Sequence, residues 1–288
     1  MNIISMAIEA NNNKDKGKIK TIIKFIIRAL VYYPYVKKMH DNFANNERKM
    51  LLKKQPAFLF KCVTPYLSNG FSKKEVVDTL IQHYNWFEDK FSADARHQVY
   101  NDALTIYRLE INEKQYFINL SFERSSRKEG ELTLTLTDTE NTNYYVLAFT
   151  VMNNDIYIGR IQGGSSDNGF SRLFTKTLYG LRPKSFMIET LRLLAVNLDI
   201  KHIYAIQNSA HVLVSKRYSR TLYLDYNSLW EEHNGEPHND YFYKLPLKAE
   251  RKNIEDIKRT KRKMYSERYD WLDNYDKALK NNLNDICN

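Results

Sequence analysis

Cysteine is nearly missing from this sequence: Cys62 and Cys287 are the two in 288 residues. They stand far apart with no metal-ligand spacing around them, so neither a disulfide framework nor a zinc cluster is indicated. A reducing compartment suits such a chain, and no metal is expected. Long apolar runs are missing as well. The most apolar early stretch, "IIKFIIRALVYY", is broken by Lys24 and Arg28 and is too short to span a bilayer. No secretory signal is visible, and the expected location is cytoplasmic, peripheral to the inner membrane. No G-x-S-x-G elbow, Ser-His-Asp signature, P-loop or H-E-x-x-H motif occurs, which leaves hydrolase, NTPase and zinc-protease readings without support. Acidic residues are in deficit. The 34 Asp and Glu face 44 Lys and Arg, a net charge of +10 that favours anionic partners. Zinc-finger, RNP-type and helix-turn-helix patterns are absent, so nucleic acid is not the expected partner.

What is present is a folding composition, 43% hydrophobic and 13% aromatic, enough for a real core. Residues 1–17 read as a frayed tail. From Lys18 the pattern turns helical, with Ile19, Ile22, Ile23, Ile26, Ile27 and Leu30 on one face and Lys20, Lys24 and Arg28 at its edges. Such a helix packs on its own protein or lies on an anionic membrane. Further helices are expected over 41–54, 56–68 and 72–90, the last opening with the capping-box spacing of Ser72 and Glu75. His83, set among rings in "QHYNWF", reads as a structural histidine.

After residue 100 the period changes to two. "LTIYRLEI", "QYFINLSFE", "ELTLTLTD", "YYVLAFTVM" and "DIYIGRIQG" are joined by short polar turns, which spells an antiparallel meander. A loop or short helix at 165–179, a helix from Pro183, a strand at 201–207, a second aromatic segment and a charged helix from 250 to 284 follow. The fold class is therefore α+β. A helical region spans 1–100, an α/β core built on a mostly antiparallel sheet spans 101–249, and the charged helix of 250–288 packs on that core.

Two features suggest a site. The helix of "GLRPKSFMIETLRLLA" starts at Pro183, yet Arg182 and Lys184 put cations where the helix dipole prefers anions. Either both extend into solvent, or an anionic phosphorylated ligand removes the conflict. Upstream, strand "IYIGRIQGG" ends in Gln162, Gly163 and Gly164, where glycines either admit a ligand close to the backbone or merely end the strand. His211, just beyond strand "KHIYAIQ", is the candidate base, with Asp225, Glu231 and Glu232 downstream as carboxylates to orient it or replace it.

The element order (meander, strand, glycine loop, helix, strand) resembles the GNAT acyltransferase core. That resemblance implies an acyl-CoA or acyl-carrier-protein donor held at the helix N-terminus and an acyl slot between splayed strands. The usual Gln/Arg-x-x-Gly-x-Gly/Ala loop is replaced here by "GLRPKS", with one glycine and two cations. A second resemblance covers most of the chain. "LFKCVTPYLSNGFSKKEVVDTLIQHY", "IGRIQGG", "GLRPKSFMIETLRLLA", "NSAHV" and "KRTKRKMYSERYDWLD" are similar to the VirK/YbjX family of Gram-negative bacteria. This implies a link to envelope integrity, virulence and antimicrobial-peptide resistance. On the matching blocks it singles out Gln162, Arg182, Lys184, His211, Arg262 and Arg268. Two functions are thus expected as alternatives. One is an acyltransferase-like enzyme acting on an envelope or peptide acceptor. The other is a non-catalytic envelope-associated protein binding anionic lipid or a partner.

Overall fold

Among the described residues, six α-helices lead into the sheet. The computed structural model describes residues 2–9, 18–44, 46–55, 57–164 and 167–288. It begins with α1 (Ile3–Glu9), α2 (Lys18–Val31), α3 (Tyr33–Phe43), α4 (Lys49–Lys54), α5 (Lys73–Lys90) and α6 (Ala93–Asn101). α5 starts with the expected capping box: Ser72 Oγ accepts from the Glu75 N–H at 3.3 Å, and Glu75 Oε2 accepts from the Ser72 N–H at 2.7 Å.

Strands β1 (Ala103–Ile111), β2 (Lys114–Ser121), β3 (Leu132–Asp138), β4 (Asn143–Met152) and β5 (Asp155–Gly163) then pair in chain order, each antiparallel to the last. Two of the turns are two-residue connections, Asn112–Glu113 and Asn153–Asn154, with φ of 53°, 63°, 55° and 61°. That left-handed geometry matches the twist of the flanking strands, and asparagine tolerates it. Leu132 to Thr137 are all buried, as in a strand covered on both faces.

The chain leaves the sheet through α7 (Phe170–Thr177) and α8 (Pro183–Asn197), then returns as β6 (Ile203–Ile206), parallel to β5. After α9 (Tyr226–Glu232) and the short β7 (Glu236–Pro237), β8 (Phe242–Leu245) lies antiparallel to β6. The sheet order is β1-β2-β3-β4-β5-β6-β8-β7. β5 and β6 share register only at Ile156–Ile203, Tyr157–Tyr204 and Ile158–Ala205, so β5 runs on past its partner. Both α5 and α8 pack on β4, and α10 (Arg259–Asn284) lies across α8 and β1. There the Tyr275 and Thr190 hydroxyls meet at 2.9 Å, and Asn282 donates to the Ile106 carbonyl at 2.9 Å. One hydrophobic core runs from Ala7 to Leu283, so the three stretches read from the sequence share it.

Four local expectations need correction. Residues 3–9 are helical, with Ala7 buried, rather than frayed; residues 1 and 10–17 of that tail lie outside the described residues. The helix expected over 56–68 shrinks to a 3-10 turn at Phe58–Val63. Thr64, the residue before Pro65, is forced extended (φ −126°, ψ 157°), and Ser68 goes on to bridge His211. The helix expected over 41–54 is two helices, α3 ending at Phe43 and α4 starting at Lys49. The final helix begins at Arg259, not at 250.

Candidate functional site

His211 follows β6 through a turn and is 1% exposed. Its Nδ1 accepts the Leu213 N–H at 3.2 Å, which leaves the ring proton on Nε2 in the neutral form. Nε2 lies 3.3 Å from Glu129 Oε1 but is not aligned with it, so the two face each other without a hydrogen bond. The imidazole stacks on Tyr226, ring centres 5.1 Å apart. Arg160 of β5 continues the array. Its Nη1 stands 3.5 Å from Glu129 Oε2 and donates to Ser126 Oγ, and its Nη2 donates to Gln162 Oε1 at 2.9 Å. Gly159 makes this approach feasible, because a Cβ there would sit 1.9 Å from the Glu129 carbonyl oxygen.

The carboxylate beside His211 is therefore Glu129, which reading the sequence missed. It sits in the "SSRKEG" turn, and no local pattern marks it. Asp225 instead caps α9, accepting from the Ser228 N–H and hydroxyl and from the Asn208 amide; these bonds hold its carboxyl below the usual range. Glu231 accepts from the Tyr243 hydroxyl at 2.9 Å. A His–Glu–Arg array of this kind can position a proton; its arginine is partly exposed, whereas the histidine is buried with Tyr226 stacked on its ring.

Gly163 pairs with Tyr145 in the β4–β5 ladder, and the Gly164 N–H donates to the Tyr144 carbonyl at 2.7 Å. That N–H is thus already bonded to β4, continuing the β4–β5 ladder. A Cβ at 164 would lie 2.0 Å from the Asn143 carbonyl oxygen, which is the physical reason for glycine there. Where β5 and β6 part company, α9 supplies aromatic rings. Trp230 Nε1 donates to the Ile206 carbonyl at 2.8 Å, and the Tyr226 hydroxyl points at the Ile161 carbonyl at 3.5 Å. Both residues are buried.

Arg182 occupies the N-cap position of α8, exposed and with no capping side chain. Lys184 is half-buried, and burial lowers its ammonium pKa, with Glu232 opposing and Arg182 adding to the shift. Together with Arg172 and Lys176 of α7 they line a cleft of about 850 Å³ that Glu232 also enters. Arg268 and Arg262 serve the backbone. Arg268 donates twice to the Tyr179 carbonyl, at the left-handed turn before α8, and Arg262 donates to the Ile257 and Glu255 carbonyls.

The other prominent surface is N-terminal. Ile4, Ile8, Ile19, Ile23, Ile27, Leu30, Val31 and Tyr33 are 43–75% exposed, although Phe25 and Ala29 on the opposite side of α2 are buried. α2 is thus apolar on two sides, and the periodicity of the sequence did not tell which side faces inward. Lys20, Lys24 and Arg28 flank the outer ridge.

These features define a mixed α+β protein with one eight-stranded, mostly antiparallel sheet and cation-lined clefts; among the described residues no helix is long and apolar enough to cross a membrane. The chain belongs to the family described as "Protein of unknown function (DUF535)", whose model matches residues 14–281. It is 29% identical over 262 residues to the Escherichia coli protein described as "Uncharacterized protein YbjX", covering 87% of this chain and 79% of that one. A Haemophilus influenzae protein described as "Uncharacterized protein" is 28% identical over 214 residues, 73% of this chain and 72% of its own length. A second one from that organism is 32% identical over 149 residues, half of this chain and 49% of its own. No solved structure matches the chain.

Proposed function

We propose that this protein works on an anionic membrane surface without crossing it, docking through α1 and α2 as a non-catalytic binder of phosphorylated lipid. The observation that carries the reading is the exposed ridge of Ile4, Ile8, Ile19, Ile23, Ile27 and Leu30 beside Lys20, Lys24 and Arg28. Contiguous exposed aliphatic side chains ask for cover. A basic rim selects a negatively charged interface as that cover. The cysteine thiols are free, which suits the cytoplasmic face of the inner membrane. Co-sedimentation with phosphatidylcholine vesicles, with and without phosphatidylglycerol, tests it. Binding is expected to the anionic vesicles and to fall about tenfold or more in the Ile23→Ser/Ile27→Ser variant, since two partly inserted isoleucines are lost. Equal sedimentation with neutral and anionic vesicles, or an unaffected variant, removes the reading.

Acyl transfer is a second reading. What speaks for it is that a meander leads through β5 and a helical crossover to a parallel return at β6, an arrangement compatible with the element order that the sequence likened to a GNAT core. An acyl-CoA or acyl-carrier-protein donor would then lie at the first turn of α8. A fold hosts many functions, so the site must argue for itself. Tyr226 and Trp230 stand where an acyl slot would open, and His211 is closed from solvent. Binding therefore comes first.

A further inference from the structure

One flank of α2 carries charge next to its apolar ridge. Lys24, Phe25 and Arg28 line a cleft of about 410 Å³. Arg127 and Lys128, from the turn before β3, and Arg217, from the loop after β6, stand on its other walls. Buried Lys61 also lines the cleft; its ammonium is held by Glu131 and sits 4.8 Å from the Phe58 ring centre. Among the described residues no Asp or Glu lines this cleft, and none pairs with Lys24, Arg28, Arg127, Lys128 or Arg217. The Lys128 ammonium rests 3.8 Å over the Tyr218 ring instead. Burial, then the charges of Arg127 and Arg220, lower its pKa, with Glu129 opposing the shift and Arg217 adding to it. Lys61 has Glu131, but the other five cations have no ion-pair partner among the described residues; like charges lining one cleft repel one another, and an anion of matching size resolves the conflict.

We propose that this cleft takes the phosphomonoester headgroup of an anionic lipid, whose acyl chains lie along the exposed ridge of α2. The proposal rests on the membrane reading above and adds the lipid class. Lys24 and Arg28 follow Ile23 and Ile27 directly in the helix, so the headgroup cleft and the apolar ridge are two sides of one element. A monoester brings a second negative charge and three free oxygens, which suits guanidinium forks better than a diester with two.

The test uses the full chain and vesicles of phosphatidylcholine with either phosphatidic acid, a monoester, or phosphatidylglycerol, a diester, matched in surface charge. The native protein should prefer phosphatidic acid by about tenfold, a margin expected from a few charge-assisted contacts. Arg127→Gln/Arg217→Gln changes two exposed side chains outside the membrane ridge. It should erase the preference while binding to phosphatidylglycerol vesicles persists. No preference in the native protein, or an undiminished one in the variant, overturns the cleft. Thermal unfolding with monomeric dihexanoyl phosphatidic acid supplies a second arm: the midpoint should rise for the native protein and not for the variant. The same rise with inorganic phosphate at equal concentration would make this a free-anion site and overturn the lipid assignment. If no vesicle is bound but the short-chain lipid still separates the two proteins, the membrane reading fails and the cleft stands.

Discussion

His83 is fully buried, and its Nδ1 accepts the Val151 N–H at 3.0 Å, a bond that only a ring with a free Nδ1 lone pair can make. Burial first, and then the nearby charges of Lys61 and Arg48, push its pKa down to about 3. His233 is lowered to about 4, chiefly by burial. The unfolded chain protonates these rings near pH 6.5, so their contribution is present above that pH and is lost as pH falls toward the folded values. The expected slope is roughly 1.4 kcal/mol per pH unit for each histidine. His83→Asn keeps an acceptor for Val151 and removes the titration. Urea unfolding at pH 7 and at pH 4.5 should show the variant losing less stability between the two than the native protein. Equal losses would mean that His83 titrates alike folded and unfolded. Its structural role was legible from its aromatic neighbours; the bond to Val151 was not, because it links residues 68 positions apart.

At the scale of the element, α8 poses the sharpest question. Its first turn carries Arg182 and Lys184, facing Arg172 and Lys176 across a cleft, with Glu232 as the carboxylate that enters it. Changing Arg182 and Lys184 to Gln relieves repulsion with the helix dipole, so stability should hold or rise slightly, by about 0.3–1 kcal/mol per charge. Coenzyme A, an acyl-CoA, pyrophosphate or sulfate should raise the unfolding midpoint of the native protein and not that of the double variant, because a ligand of the native state stabilises by mass action. If none of these anions separates the two proteins, the donor site at α8 fails, and acyl transfer is left with sheet order alone. α2 makes a contrasting case. Its periodicity marks both flanks apolar, and packing of Phe25 against Phe60 decides which one is turned in.

Across the whole molecule, the N-terminal helical region is tied to the sheet by charge as well as by apolar contact. Lys61 pairs with Glu131 next to β3, and the Tyr84 hydroxyl of α5 donates to the same carboxylate at 2.6 Å. Glu131 is 1% exposed. Burial lowers the Lys61 ammonium pKa, with Glu131 opposing the shift. Removing one partner strands the other, so Lys61→Ala should cost about 3–5 kcal/mol in denaturant unfolding. A loss under about 1 kcal/mol, as for an exposed pair, would show that water reaches Glu131. The sequence separates helical, sheet and C-terminal stretches, whereas this pair and the shared core make them one packing unit.

What the sequence by itself determined is local and periodic. Alternation set the five strands of the meander, Asn112, Asn153 and Asn154 set left-handed turns, Ser72 with Glu75 began α5, and Pro183 began α8. Each depends on residues within a few positions of one another, where backbone sterics and hydrogen bonding decide. Only the tertiary structure decided which carboxylate meets His211 and which face of α2 stays bare. It also brought Arg127, Lys128 and Arg217 to the cleft beside Lys24 and Arg28. Those residues lie far apart in the chain, and they meet because burying the sheet fixes where the connecting turns end up. Charge and apolar surface were written into the sequence; their placement side by side was settled by packing.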